Sequence, residues 1–255
     1  MIANYHNHTR WCRHGEGEIE DMILSALDLG LEELAITEHV PHRDNLDTNR
    51  MAWEEFEDFN ADLDRNIEKY KDRIKVIKGF ECEYYAADLD DYRMFIEKYG
   101  YFLFLGQHFY GKHPYKGELF FMDKVKTDES LQIYADTVCV GLNTGLFRFL
   151  AHPDCVLENY NNHEWNAHVE KIMRQIFSCC KEKNMPVEIN ANGWAKQRRY
   201  PCKDAFLLSK EYGLTYLLNS DAHFPDRIYN DSVRALEKEV ESWGITVTPK
   251  LDLKR

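Results

Sequence analysis

Proline and glycine are scarce in this 255-residue chain, at 7 and 13 residues, and nowhere do they gather with serine into a linker. No internal repeat is visible either. One domain spanning residues 1–255 is therefore expected, because α/β barrels of this length are commonly single domains. No apolar run approaches the ~20 residues that cross a bilayer. Met1 leads almost at once into a strand-like run, so neither a membrane span nor a secretion signal is expected. No two cysteines have C-x-x-C spacing, which argues against a structural zinc site made of thiolates. The 7 irregularly spaced cysteines read as free thiols of an intracellular chain, and the expected location is the cytoplasm. Positive charge is short as well: 32 Lys and Arg face 44 Asp and Glu, a net charge of −12. Such a chain repels nucleic-acid phosphates and anionic lipid, so neither is an expected partner. The compact basic cluster Lys196-Gln197-Arg198-Arg199 is too small for a nucleic-acid surface and suits one small anionic group. G-x-S-x-G, P-loop and G-x-G-x-x-G motifs are all absent, which leaves nucleophile-elbow and nucleotide-loop chemistry without support.

What the chain has is an alternation. Short apolar runs at Ile2–Tyr5, Glu33–Thr37, Ile74–Gly79, Tyr101–Leu105, Phe147–Leu150, Val187–Ile189 and Thr215–Leu218 read as strands. Between them lie helix-period segments at Ile19–Leu29, Phe56–Tyr70, Asp90–Lys98, Glu129–Leu142, Glu164–Glu182, Lys203–Tyr212 and Asp231–Trp243. In the first of these, Ile19, Met22, Ile23, Ala26 and Leu27 share one face, and Gly30 stands where a C-terminal cap is expected. Strands alternating with helices predict a parallel sheet with crossover helices.

The polar residues choose between an open sheet and a barrel. His6 and His8 follow the first strand, Glu38 and His39 the second, Glu81 the third, His108 the fourth, His152 the fifth, Asn190 the sixth, and Asp221 and His223 the seventh. An open sheet would spread these along an edge. A seven-stranded barrel gathers C-terminal strand ends at one mouth, where barrel active sites lie. His6 and His8, two apart on an extended strand, point to the same side. With His14 added, seven histidines and the carboxylates Glu81 and Asp221 form a nine-residue ligand set. Imidazole and carboxylate suit zinc, iron or manganese, and nine groups are enough for three cations with positions left open. Adjacent cations acidify a bound water to hydroxide and steady the oxygens of a phosphoryl displacement, so hydrolysis of a phosphate monoester is the expected chemistry. Glu81 is the favoured bridging carboxylate, and Glu38 is expected to orient His39 as an acceptor. His113, His163 and His168 lack strand-end placement and read as surface or loop residues.

The segment Tyr5-His6-Asn7-His8-Thr9-Arg10-Trp11-Cys12-Arg13-His14-Gly15 resembles the opening motif of the polymerase-and-histidinol-phosphatase (PHP) superfamily, and within it the histidinol-phosphatase family. Thr37-Glu38-His39-Val40-Pro41, Gly79-Phe80-Glu81-Cys82-Glu83, Gly106-Gln107-His108-Phe109, Ala151-His152-Pro153-Asp154 and Asn219-Ser220-Asp221-Ala222-His223 resemble its later motifs, in order. The resemblance runs from about residue 3 to residue 225. It departs at Gln107, where serine is more usual, and in Cys155–Tyr160, which lacks the basic residues often found there.

This resemblance implies a distorted (β/α)7 barrel of the PHP fold and a trinuclear site. In that site His6, His8, Glu81 and Asp221 hold one metal. Glu81 bridges to a second held by His108 and His152, and His14, His39 and His223 hold the third. It implies L-histidinol-phosphate phosphatase activity, in histidine biosynthesis, with a metal-bound hydroxide as nucleophile. Other members suggest an alternative small phosphate, a nucleotide or sugar phosphate, or a non-catalytic regulatory module; the intact ligand set and acidic balance disfavour the last. Arg198 or Arg199, with Lys196, is expected to contact the substrate phosphate, since a guanidinium fork fits phosphate at two points. His42 or Asp226 is the expected proton donor to the leaving alkoxide. A monomer or small homo-oligomer is expected.

Overall fold

Seven parallel strands in strict chain order form the centre of the computed structural model. It describes residues 1–45, 47–109, 125–160 and 164–253. The strands are β1 (Ala3–Asn4), β2 (Glu33–His39), β3 (Lys75–Cys82), β4 (Phe102–Leu105), β5 (Phe147–Leu150), β6 (Val187–Asn190) and β7 (Tyr216–Asn219). Each pairs with the next in parallel register. Between β1 and β7 a single bridge, Asn7 to Ala222, stands where a ladder would run. The sheet thus curls into a nearly closed, distorted (β/α)7 barrel, as the strand-end argument requires.

The helices are α1 (Ile19–Asp28), α2 (Phe56–Tyr70), α3 (Leu89–Glu97), α4 (Asp128–Asn143), α5 (Ala167–Glu182), α6 (Ala191–Ala195), α7 (Lys203–Ser209) and α8 (Asp231–Ser242). α1 buries Ile19, Met22, Ile23 and Ala26, the expected face. It ends at Gly30, whose φ of +76° lies in the left-handed region. α5 starts three residues later than expected because the Asn166 side chain accepts from the amides of His168 and Val169, fixing the first turn there. Strands β2 and β3 run further than their apolar stretches, into Glu38-His39 and Phe80-Glu81-Cys82. Paired backbone groups therefore extend under the polar residues of the mouth. Among the described residues no helix is long and apolar enough to cross a membrane.

Alternation along each strand sorts the side chains into two cores. Outward residues such as Leu34, Ile36, Phe80, Leu103, Leu105, Val187, Ile189 and Leu218 pack under the helices. Inward residues Ala3, Tyr5, Ala35, Phe102, Phe104, Phe149, Ala151 and Leu217 fill the lower barrel, with Leu251 and Leu253 packed against them from the C-terminal segment. Gly79 is obligatory here: a Cβ would come within 2.8 Å of Thr37 Cγ2 and closer still to the Phe102 ring. Cys82 faces the outer core, as the alternation next to Glu81 demands.

The expectation that every cysteine is a free thiol is corrected. Cys139 on α4 and Cys179 on α5 form a disulfide, while Cys12, Cys82, Cys155, Cys180 and Cys202 are free and buried. The pairing escapes sequence reading because it joins two packed helices rather than a recognisable spacing. His113 and His163 lie outside the described residues. His168 sits in the first turn of α5, its ring near Asp128.

Candidate metal centre

His6 rests edge-on against Phe104, 4.7 Å between ring centres, so the aromatic fill of the barrel is the floor of a polar cluster. His6, His8 and Glu81 are all essentially buried. The Nε2 atoms of His6 and His8 stand 3.1 Å apart, and Glu81 Oε2 lies 3.2 and 3.3 Å from them. Asp221 Oδ1 closes this group at 3.5 Å from His6 Nε2 and 3.4 Å from His8 Nε2. Glu81 divides its oxygens. Oε2 faces this group and His39 Nδ1 (3.1 Å), whereas Oε1 faces His152 Nε2 (2.9 Å) and His108 Nε2 (3.5 Å). Gly106 makes room for that carboxylate, since a Cβ there would sit 2.6 Å from Glu81 Cγ. On the open side, His14 Nε2 and His223 Nε2 are 3.0 Å apart, and His223 stacks on His8 at 4.4 Å. All nine side chains expected at the mouth therefore form one contiguous cluster. His39 touches both the Glu81 group and, through ring contacts of 4.6 and 5.3 Å, His8 and His14.

The outer nitrogens of these imidazoles decide what the inner ones can do. His14 Nδ1 lies 2.6 Å from the Cys12 carbonyl and His223 Nδ1 3.0 Å from the Asp221 carbonyl. A carbonyl only accepts, so each Nδ1 carries the proton and each Nε2 a lone pair. His6 Nδ1 faces Glu188 Oε1 at 2.8 Å and His108 Nδ1 faces Glu83 Oε1 at 2.9 Å, with the same consequence. The Nε2 atoms of four histidines thus point inward at one another and at carboxylate oxygens. Among the described residues, buried His39 Nδ1 faces only Glu81 Oε2, at 3.1 Å and without hydrogen-bond alignment. Apposed lone pairs at 3.0–3.1 Å repel unless a cation lies between them. Ligand atoms about 2.0–2.1 Å from a zinc ion are roughly 3.3 Å apart in a tetrahedron, close to this spacing. The donor set and its geometry fit divalent cations.

Electrostatics point the same way. Burial alone would raise the Glu81 and Asp221 carboxyls, yet the surrounding histidines hold both well below the carboxylate range. Burial and the neighbouring His8 depress His223 to about 3 and lower His14. Burial opposes charge on His6 too, but Glu188, Asp221 and Glu81 overcome it and raise its pKa well above the usual value, so without a cation Nε2 holds a proton whose place a cation would take. Two of the nine residues hold left-handed backbone, His152 at φ +27° and Asp221 at φ +50°. Such positions cost on the order of 1–3 kcal/mol and cluster at functional sites.

Around the cluster opens a cavity of about 320 Å3, within the range of small-molecule sites. Lys196 and Arg198 line it. Arg199 does not: its guanidinium donates to the carbonyls of Leu157 and Tyr160 and so ties down the loop after β5. His42 faces Asp88 at 2.9 Å and lies outside the cavity wall. Asp226 borders a separate depression with Asp21 and Arg234. Nearness to a motif in sequence left the direction of these side chains open. Glu38 is corrected as well. Its Oε1 accepts from the amide and hydroxyl of Thr9, at 2.8 and 2.7 Å, so it braces the β1 loop and does not orient His39. Neighbours on a strand point to opposite faces, and that alternation was the available signal.

Several cavity residues had no expected role: Asp47, Asn49, Arg50, Asn192 and Tyr200. Arg50 donates to Glu83 at 2.6 Å, and Glu83 in turn holds His108. Glu188 was also missed. Its signal was the pair Glu188 and Asn190, two apart in a four-residue strand whose other members are apolar.

The chain resembles known proteins over most of its length. The PHP domain model matches residues 4–192. A protein of Deinococcus radiodurans named probable histidinol-phosphatase is 24% identical over 258 residues, covering 97% of this chain and 96% of that protein. A Bacillus subtilis histidinol-phosphatase is 27% identical over 105 residues, 38% of this chain and 39% of its own length. Among solved structures, histidinol phosphate phosphatase of Lactococcus lactis subsp. lactis, in complex with zinc, L-histidinol and phosphate, superposes with a TM-score of 0.77. That likeness has 19% identity and covers 98% of this chain and 97% of the other.

Proposed function

The chain belongs to the PHP domain family, and from that premise we propose that it is a metal-dependent phosphomonoesterase whose substrate is L-histidinol phosphate. The products are L-histidinol and phosphate, the reaction of a late step in histidine biosynthesis. The observation that carries the reading is the inward convergence of imidazole lone pairs on a carboxylate that splits its two oxygens between two groups.

His6, His8, Glu81 and Asp221 would hold one divalent cation. Glu81, His108 and His152 would hold a second, and His14, His39 and His223 a third, with zinc, manganese and iron as the metals such donors suit. Bound there, the cations supply Lewis acidity toward phosphate oxygens and a water acidic enough to ionise near neutral pH. The rest falls to the chain's own residues. Arg198 offers a planar fork to the phosphate oxygens, steered by Glu158 at 3.4 Å. Lys196 adds a point charge; burial lowers its pKa against the pull of Asp221. Tyr200, largely buried and with its pKa raised by desolvation, presents a neutral phenol to the cavity. The relatives' names and the zinc, histidinol and phosphate of the Lactococcus structure support the substrate. The cytoplasm is the proposed location, supported by five buried free thiols beside the one Cys139–Cys179 bridge, and a monomer or small homo-oligomer is the proposed assembly.

A different small phosphate, such as a nucleotide or sugar phosphate, is the second reading. It is favoured by the segment 153–160, which carries no Lys or Arg and turns Glu158 toward Arg198. Phosphate release from histidinol phosphate, nucleotides and sugar phosphates, measured side by side with metal analysis of protein purified without chelator, tests both. About three ions per chain and a preference for histidinol phosphate are expected. Equal rates on all substrates would remove the specific assignment, and one ion or none would remove the trinuclear site.

A further inference from the structure

Glu188 sits at the centre of the barrel with none of its surface exposed. Its two oxygens are each used twice. Oε1 accepts from His6 Nδ1 at 2.8 Å and from Asn219 Nδ2 at 3.0 Å. Oε2 accepts from the His152 backbone amide at 3.1 Å and from Asn190 Nδ2 at 3.0 Å. Asn190 Nδ2 also lies 3.1 Å from Asp221 Oδ2, where Asn192 Nδ2 joins it at 3.1 Å. One carboxylate therefore reaches His6 directly, the backbone of His152 directly, and Asp221 through one amide.

We propose that Glu188 is a positioning residue, which fixes the tautomer of His6 and keeps His6, His152 and Asp221 in register across β1, β5, β6 and β7. The proposal rests on the metal-centre reading above. A carboxylate has about four acceptor positions, and all four are taken by donors. Glu188 is thus saturated, although its distance from His6 and His152 would also suit a ligand atom. Asn219 Nδ2, Asn190 Nδ2 and the His152 amide all donate to it, so Glu188 accepts from His6 as well; Nδ1 carries a proton and Nε2, which faces His8, Glu81 and Asp221, is the nitrogen left for a cation. Asn190 and Asn192 occupy Asp221 Oδ2 and leave Oδ1 turned to the histidines. His152 is the residue at φ +27°, and the bond from its amide to Glu188 is one restraint that holds this backbone in place.

Glu188→Gln tests the idea with one atom exchanged. Whichever way the amide turns, its NH2 meets two donors, so either His6 loses its acceptor or the His152 amide does. Zn2+ titration of the full-length apoprotein against a competing chelator should show the same number of ions as wild type. The tightest-site Kd should be weaker by roughly 10–100-fold, the usual effect of removing a partner of a metal-bound histidine. Nitrogen-15 NMR of zinc-loaded wild type should find His6 protonated at Nδ1 and metallated at Nε2. Unchanged zinc affinity in the variant overturns the proposal and leaves the metal centre standing. Loss of one whole equivalent of zinc overturns it in favour of Glu188 as a direct ligand. A wild-type protein that binds no zinc removes the metal-centre reading and the proposal with it. If the variant does not fold, the His6 tautomer in wild type decides: an Nε2-protonated ring is incompatible with the role assigned to Glu188.

Discussion

Strands β4 and β6 stand in the same barrel, yet β4 turns Phe102 and Phe104 inward and β6 turns Glu188 and Asn190 inward. The lower half of the interior is closed by rings: Phe104 and Phe149 stack at 4.3 Å with planes 12° apart. The upper half holds buried Glu81, Glu188, His6 and His8, with Asp221 at its edge. Rings lose nothing on leaving water and gain by packing. Buried charges and apposed lone pairs lose hydration and gain only when partnered. On these grounds the lower half should be stable by itself, and the upper half should be complete only if cations occupy it.

Glu81→Gln should have the largest effect, because both of its oxygens serve ligand groups. Activity should fall to the detection limit and metal content by about two ions per chain, with far-UV circular dichroism unchanged; full metal retention would dissolve the contrast between the halves. Chelation of the wild type comes next. Each site filled at a hundred times its Kd adds about 2.7 kcal/mol, so stripping should lower Tm by roughly 5–10 °C per site in scanning calorimetry. An unchanged Tm would mean that the upper half is stable when empty. Phe149→Ala attacks the other half. It should cost about 3–5 kcal/mol in denaturant unfolding while the folded protein binds zinc as tightly as before. Tyr5→Phe should be mildest. The Tyr5 hydroxyl donates to Glu33 at 2.8 Å and accepts from the Leu251 amide at 3.0 Å, so about 1 kcal/mol should be lost. Coupled loss of metal affinity in either lower-half variant would show that the two halves are not independent.

The same contrast explains what could be read in the sequence. His6, His8, Glu81, His108, His152, Asp221 and His223 stood out because each follows an apolar run, and in a barrel that position has one meaning. The strand order and the crossover helices were legible for the same reason. The pair Glu188 and Asn190 marked β6, but the role of Glu188 was not legible, since it depends on donors from the segments after β1 and β5 and from β7 that no local pattern records. Arg198 and Arg199 could not be told apart, because a loop without periodicity does not say which of two neighbours faces inward. His42 and Asp226 were chosen by nearness along the chain, and the structure turns them elsewhere. Cys139 and Cys179 come together only once α4 packs on α5.

The open seam between β1 and β7 has a consequence for the order in which the molecule assembles. His14 and His223, 209 positions apart, meet across it. Bringing such distant points together costs on the order of 5 kcal/mol of chain entropy. On a ribosome the first member of this pair emerges 209 residues before its counterpart. Strands β1 to β6 can pair while the chain is still growing, but the histidine mouth cannot exist until β7 has docked. Any cation that needs the whole cluster can therefore be captured only by a chain extended past β7, and a product cut short before that strand keeps His14 and His223 apart.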